Sequence, residues 1–105
     1  MYDIDEMDQV ARKALEALGS TVDDVAGLLE KEGCKGIRNR AASCPVAEYF
    51  NSKLPGYWAE YSCHDVHIAM LGGTTTLATI RTNKAVALFA RRFDYGHYPA
   101  LEKAK

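Results

Sequence analysis

Residues 57–81 read YWAEYSCHDVHIAMLGGTTTLATIR, and the spacing of their apolar side chains decides the fold. Apolar residues recur here at every second position, the period that places side chains on one face of a strand. Tyr57, Ala59 and Tyr61 share a face of a first strand, and Val66, Ile68 and Met70 share a face of a second, with Cys63 to Asp65 as the turn between them. Gly72-Gly73 is a hairpin signal, and the threonine-rich run Thr74 to Arg81 reads as a third strand. Three antiparallel strands in a meander are therefore expected.

On the N-terminal side the period lengthens. Ile4, Met7, Ala11, Ala14 and Leu18 alternate spacings of three and four, with Val10 and Leu15 widening the stripe, which predicts an amphipathic helix ending at Gly19. Ser20 or Thr21 can cap a second helix whose first turn carries Asp23 and Asp24 and whose stop is Gly33; Val22, Val25, Ala26, Leu28 and Leu29 form its inner side. After a glycine-containing basic loop, Pro45 opens a third helix that turns Val46, Tyr49, Phe50 and Leu54 inward and ends at Pro55-Gly56. Beyond the strands, Asn83 caps a last helix with Val86, Phe89, Ala90 and Phe93 at helical spacing, closed by Gly96 and Pro99. Three N-terminal helices, a three-stranded meander and a C-terminal helix make an α+β fold, and 105 residues without repeats or linker-like tracts suit a single domain over 1–105.

Composition narrows the function classes. With 48 % hydrophobic and 26 % charged residues the chain is expected to fold unaided. No run approaches the ~20 apolar residues a membrane span requires, and the acidic stretch Met1 to Asp8 is unlike a secretory signal. A cytoplasmic location with no membrane association is the expectation. Reduced thiols then follow for Cys34, Cys44 and Cys63, although a Cys34–Cys44 bridge across a short loop stays open. Net charge is −1, but unevenly spread: residues 1–32 hold nine acids against Arg12, Lys13 and Lys31, a net −6, and the remainder is +5. Such asymmetry means either two halves that attract each other in the fold, or an acidic or basic face offered to a partner.

Side chains able to carry chemistry look scattered. Zinc sites use close ligand pairs, and His64 and His67, three apart on a turn and strand, point to opposite faces; no metal and no cofactor is expected. Cys63, Asp65 and His67 contain the residue types of a nucleophile, an orienting acid and a base, but a three-stranded meander gives them an open surface with no pocket, so the chain reads as non-catalytic. Gly72-Gly73 joins strands and does not lead into a helix, as a phosphate loop must.

Binding is the better reading, and two surfaces suggest it. Lys35, Arg38 and Arg40 gather three cations in the loop between the second and third helices, extended by Arg91 and Arg92, which could engage nucleic acid; against this stand the acidic, aromatic third helix and a pI near 6.3. Trp58 and Tyr61 are residue types that anchor protein interfaces, and if helices cover one side of the sheet, the other side is a surface for a protein partner or for a homodimer. The same rings could equally complete a small core. A protein-binding module is the leading expectation and a nucleic-acid binder the alternative.

Two blocks carry a resemblance. Glu32-Gly33-Cys34-Lys35-Gly36-Ile37-Arg38 with Ser43-Cys44-Pro45-Val46-Ala47-Glu48-Tyr49-Phe50, and Phe89-Ala90-Arg91-Arg92-Phe93-Asp94-Tyr95-Gly96-His97-Tyr98-Pro99-Ala100-Leu101, look like segments of a group of small actinobacterial and actinophage proteins. The shared features are a glycine-cysteine-basic loop, a cysteine-proline helix start and a phenylalanine-aspartate turn ending in tyrosine-proline; residues 57–82 do not share in it. The resemblance implies no catalytic residue. It implies an actinobacterial or bacteriophage source, and with it a binder directed at a host or defence protein.

Overall fold

The period-two stretch forms β1 (Tyr57–Ser62), β2 (Asp65–Met70) and β3 (Thr76–Arg81), antiparallel and hydrogen-bonded in the order β1-β2-β3. The computed structural model describes residues 2–62 and 64–103, so Cys63 lies outside it. Four helices flank the sheet in sequence: α1 (Ile4–Ala17), α2 (Val22–Lys31), α3 (Pro45–Lys53) before it and α4 (Lys84–Asp94) after it, with a 3-10 turn at Pro99–Leu101. The fold is α+β in the order the sequence predicts.

Side-chain oxygens define the starts of α1, α2 and α4, and Pro45 opens α3 without a side-chain cap. Asp3 accepts the Glu6 N–H at 2.8 Å, Thr21 accepts the Asp24 N–H at 3.1 Å and Asn83 accepts the Val86 N–H at 3.0 Å, each occupying a donor that the first helical turn leaves free. At the far end of α1 a phenol does the complementary work: the buried Tyr49 hydroxyl donates to the Ala14 carbonyl at 2.7 Å, tying α3 to α1. One buried cluster draws on every element, with Met7, Leu18, Leu29, Tyr49, Phe50, Phe89 and Phe93 among its large members. Phe89 stacks on Phe93 at 6.2 Å between centroids and meets Tyr98 at 4.9 Å, which fastens the C-terminal segment to the core.

Along β1 burial alternates strictly, so helices cover one face and leave the other open. Tyr57 and Tyr61 are on the covered face and buried, which places Tyr61 in the core and not on the exposed surface expected of it. Trp58 is on the open face at 38 % exposure, beside Ala69 across the strand pair. Glu60, His67, Thr79, Asp65 and Arg81 share that face, so the uncovered side of the sheet is largely polar. The third strand begins at Thr76, two residues later than its threonines suggest. Ala69 pairs with Thr76 while Ile68 pairs with Ala78, leaving Leu77 as the extra residue of a bulge, and β2 offers Thr74 and Thr75 no partner. Ile4 and Met70, in phase with buried stripes, stand exposed because each ends its element beyond the core.

The basic loop is held at three points. The Gly36 N–H donates to the Leu101 carbonyl at 2.8 Å and the Gly36 carbonyl accepts the Lys103 N–H at 2.9 Å, a parallel bridge to the C-terminal segment. The Asn39 N–H donates to Asp94 at 2.8 Å, and the Ala41 carbonyl accepts the Tyr61 N–H at 2.9 Å. Asn39 has φ +61°, the left-handed conformation that asparagine tolerates better than most residues. Gly36 can be nothing larger, since a Cβ there would overlap the Ser43 carbonyl oxygen and lie 2.6 Å from the Pro45 ring.

Candidate functional site

Because the loop is tied to both α4 and β1, its residues 39–41 form a fixed wall facing α4. Between them lies a cleft of about 400 Å³, with Arg40 on the loop side, Arg91 and Asp94 on the helix side, and Cys44, Tyr61 and His64 completing its lining. A second, wider cleft of about 710 Å³ continues toward the start of α4, bounded by His64, Arg81, Thr82, Lys84, Leu88 and Arg91. The two share His64, Ala87 and Arg91, so they are one groove running along a stripe of α4. Its geometry follows from helical spacing: Lys84, Leu88, Arg91 and Asp94 are three or four apart and fall on one side.

The opposite wall is fixed by a buried polar network. Thr82, 7 % exposed, gives both its N–H and its hydroxyl to the His64 carbonyl at 2.8 Å, and its hydroxyl oxygen lies 3.1 Å from the Tyr61 hydroxyl. This holds the turn before β2 against the end of β3, with His64 exposed at the groove. Arg81 joins Asp65 at 3.4 Å with a largely exposed side chain, a contact that adds little stability and leaves the guanidinium available.

Charge is the distinctive property of this groove. Arg40, Arg91 and Lys84 make no ion pair and no side-chain hydrogen bond among the described residues. Asp94, the one acid among the groove-lining residues, has an oxygen committed to the Asn39 N–H. Unpaired cations on facing walls of a concave site concentrate positive potential more than the same charges on a flat surface.

The predicted site residues divide accordingly. Arg40, Tyr61 and Arg91 come together in the groove. Arg38 does not: its Nε reaches Glu102 at 3.1 Å, and its guanidinium lies so close to Gly96 that a Cβ there would stand 2.8 Å from it, so it ties the loop to the C-terminal segment. Lys35 and Arg92 are exposed and outside the groove, and Trp58 is on the open sheet face. Sequence reasoning missed Lys84, Leu88, Asp94, His64 and Arg81 as groove residues. The α4 stripe was detectable from its spacing; the approach of His64 and Arg81 to it was not.

Chemistry that looked scattered is partly gathered, because Cys44 and His64 line the same cleft. The pair is not set up for nucleophilic attack. Cys44 is 6 % exposed and makes no hydrogen bond to His64, and its thiol is pushed up to about 11. Burial is the main cause; the Val46 and Ala47 N–H groups at the start of α3 pull the other way but are outweighed, and Asp94 and Glu48 add to the rise. Burial likewise raises the Cys34 thiol. Cys34 and Cys44 are both free, so no bridge joins them. His67 is on the open sheet face, where its Nδ1 lies 3.3 Å from the Thr79 hydroxyl, while the candidate nucleophile Cys63 falls outside the described residues. Among the described residues no group of three His, Cys, Asp or Glu side chains is placed to hold a metal ion, and no helix is long and apolar enough to cross a membrane. No family model matches the chain, and no curated protein and no solved structure matches it either.

Proposed function

We propose that the protein is a non-catalytic binding module of the cytoplasm that takes an acidic segment of a partner protein into the groove between residues 39–41 and α4. The observation that carries this reading is the placement of Arg40 and Arg91 on facing walls of one cleft with no carboxylate partner among the described residues. Desolvating a guanidinium is costly unless an anion meets it, and a carboxylate that bridges two such groups gains charge-assisted hydrogen bonds worth about 1.5–3 kcal/mol each.

A short acidic segment suits this molecule better than a nucleic acid. Nucleic acid presents phosphates over a long span, and the acids of α1 and α2 leave the whole chain at −1, without the broad basic footprint such ligands require. A peptide confined to the groove meets only its local field. The resemblance to small actinobacterial and actinophage proteins extends the proposal to a host- or defence-directed partner.

Fluorescence anisotropy with a labelled hexaglutamate peptide at low salt tests the reading. Binding that weakens about tenfold or more in Arg40→Ala and in Arg91→Ala, with circular dichroism unchanged, supports it. No binding at low salt, or tighter binding of a labelled single-stranded oligonucleotide of equal charge, overturns it.

A further inference from the structure

The groove holds one feature that an acid-binding site does not need. Leu88 stands 37 % exposed on α4 between Lys84 and Arg91, while the other large apolar residues of that helix, Val86, Phe89 and Phe93, are buried. Resting on the function proposed above, we infer that the partner segment is extended and carries the pattern acid-x-aliphatic-x-acid, its aliphatic side chain seated over Leu88 and Ala87.

The spacing supports this pattern. Lys84, Leu88 and Arg91 lie along one side of α4, four and three residues apart, with neighbouring Cβ atoms about 5–6 Å from each other. In an extended chain successive side chains point to opposite faces, and residues two apart on the same face are roughly 6.6 Å apart. A strand laid along the groove therefore presents residues i, i+2 and i+4 to the helix at nearly the interval of Lys84, Leu88 and Arg91. From Lys84 to Arg91 the helix rises about 10 Å and a strand covers about 13 Å in four steps, a difference the long Lys and Arg side chains absorb. Cations stand at both ends, Arg81 with Lys84 and Arg40 with Arg91, and the apolar surface lies between them. The pattern is symmetric about Leu88, so either chain direction satisfies it.

Three labelled, glycine- and serine-flanked peptides test the inference by anisotropy: Glu-Gly-Leu-Gly-Glu, the same with serine for leucine, and Glu-Leu-Gly-Gly-Glu, in which leucine moves to the other face. The first is expected to bind about tenfold tighter than the other two, the gain from taking part of a leucine side chain out of water. Leu88→Ser is expected to erase that gain, so that the leucine and serine peptides bind the variant alike, and the gain itself is expected to persist as salt rises. Equal affinities for the three peptides, or a gain that survives Leu88→Ser, overturns the pattern while acid binding stands. Failure of all three peptides and of hexaglutamate to bind overturns the function proposed above, and this inference with it.

Discussion

Alkaline pH will destabilise the protein through Cys44, and the size of the effect decides whether the groove can be catalytic. In the fold the Cys44 thiol is raised to about 11 from an ordinary value of 9.0. A folded value above the unfolded one means that the fold favours the protonated thiol. That contribution is fully present below pH 9 and is lost as pH climbs toward 11, because the unfolded chain has released its proton while the folded chain still holds it. Over that window each pH unit removes about 1 kcal/mol, so the total is roughly 2 kcal/mol, a large share of an ordinary domain's stability. The buried Tyr49 and Cys34, raised by the same cause, push in the same direction, so the Cys44 part must be isolated. Urea unfolding of the wild type and of Cys44→Ala at pH 8, 9, 10 and 11 does this: the stability difference between them should shift by about 2 kcal/mol in favour of the variant across the series. Alkylation at Cys44 by iodoacetamide, followed by mass spectrometry, should be slow at pH 7 and climb about tenfold per pH unit without levelling off at pH 9, where an ordinary thiol is already half ionised. A constant difference between the two proteins, or rapid alkylation of folded protein at pH 7, would refute the burial argument and make Cys44 with His64 a candidate catalytic pair.

Other expectations follow from the packing. Phe89→Ala should cost about 3–5 kcal/mol in urea unfolding, as buried aromatics do, and a loss below about 1 kcal/mol would show that the ring is not core. Gly36→Ala should cost about 1–3 kcal/mol or more, since the new methyl meets backbone and a proline ring and not a flexible side chain; faster trypsin cleavage at Arg38 and Arg40 should accompany it. Tyr49→Phe should cost about 1–3 kcal/mol by leaving the Ala14 carbonyl without its donor, and an unchanged urea midpoint would show that water replaces the phenol.

What the chain discloses by itself depends on the range of the interaction concerned. Helix starts are local: the side-chain oxygens of Thr21 and Asn83 lie within three residues of the N–H groups they accept, so their spacing predicts them. Strand faces are equally local, and alternation separates Tyr57, Ala59 and Tyr61 from Trp58 and Glu60. Alternation does not say which face the helices cover, and that is why Tyr61 could be read as an anchor when it is a core residue. The groove depends on contacts of long separation. Asn39 meets Asp94 and Gly36 meets Leu101, and these two contacts bring the loop against α4 and split the apparent cluster of Lys35, Arg38 and Arg40 into three different roles.

The charge asymmetry shows the same limit and bears on the function. Opposite charge in the two parts of the chain suggested internal attraction, yet the ion pairs among the described residues are mostly local to one part: Arg12 with Asp8, Arg38 with Glu102, Arg81 with Asp65, Lys103 with Glu48. Lys53 with Glu32 joins the two parts, at 3.0 Å, and these partly exposed pairs contribute little. The acids of α1 and α2 thus remain on the surface, while Lys84 and Arg91 of α4 and Arg40 of the loop line the groove. A long polyanion approaching such a molecule meets repulsion wherever it extends past the groove, whereas a ligand about five residues long, spanning about 13 Å in extended form, stays within about two Debye lengths at physiological salt and responds mainly to Arg40, Arg91, Lys84 and Arg81. On the proposed reading the groove's cations set the ligand's sign and the surrounding acids limit its length, which is the physical reason for proposing a short acidic segment over a nucleic acid.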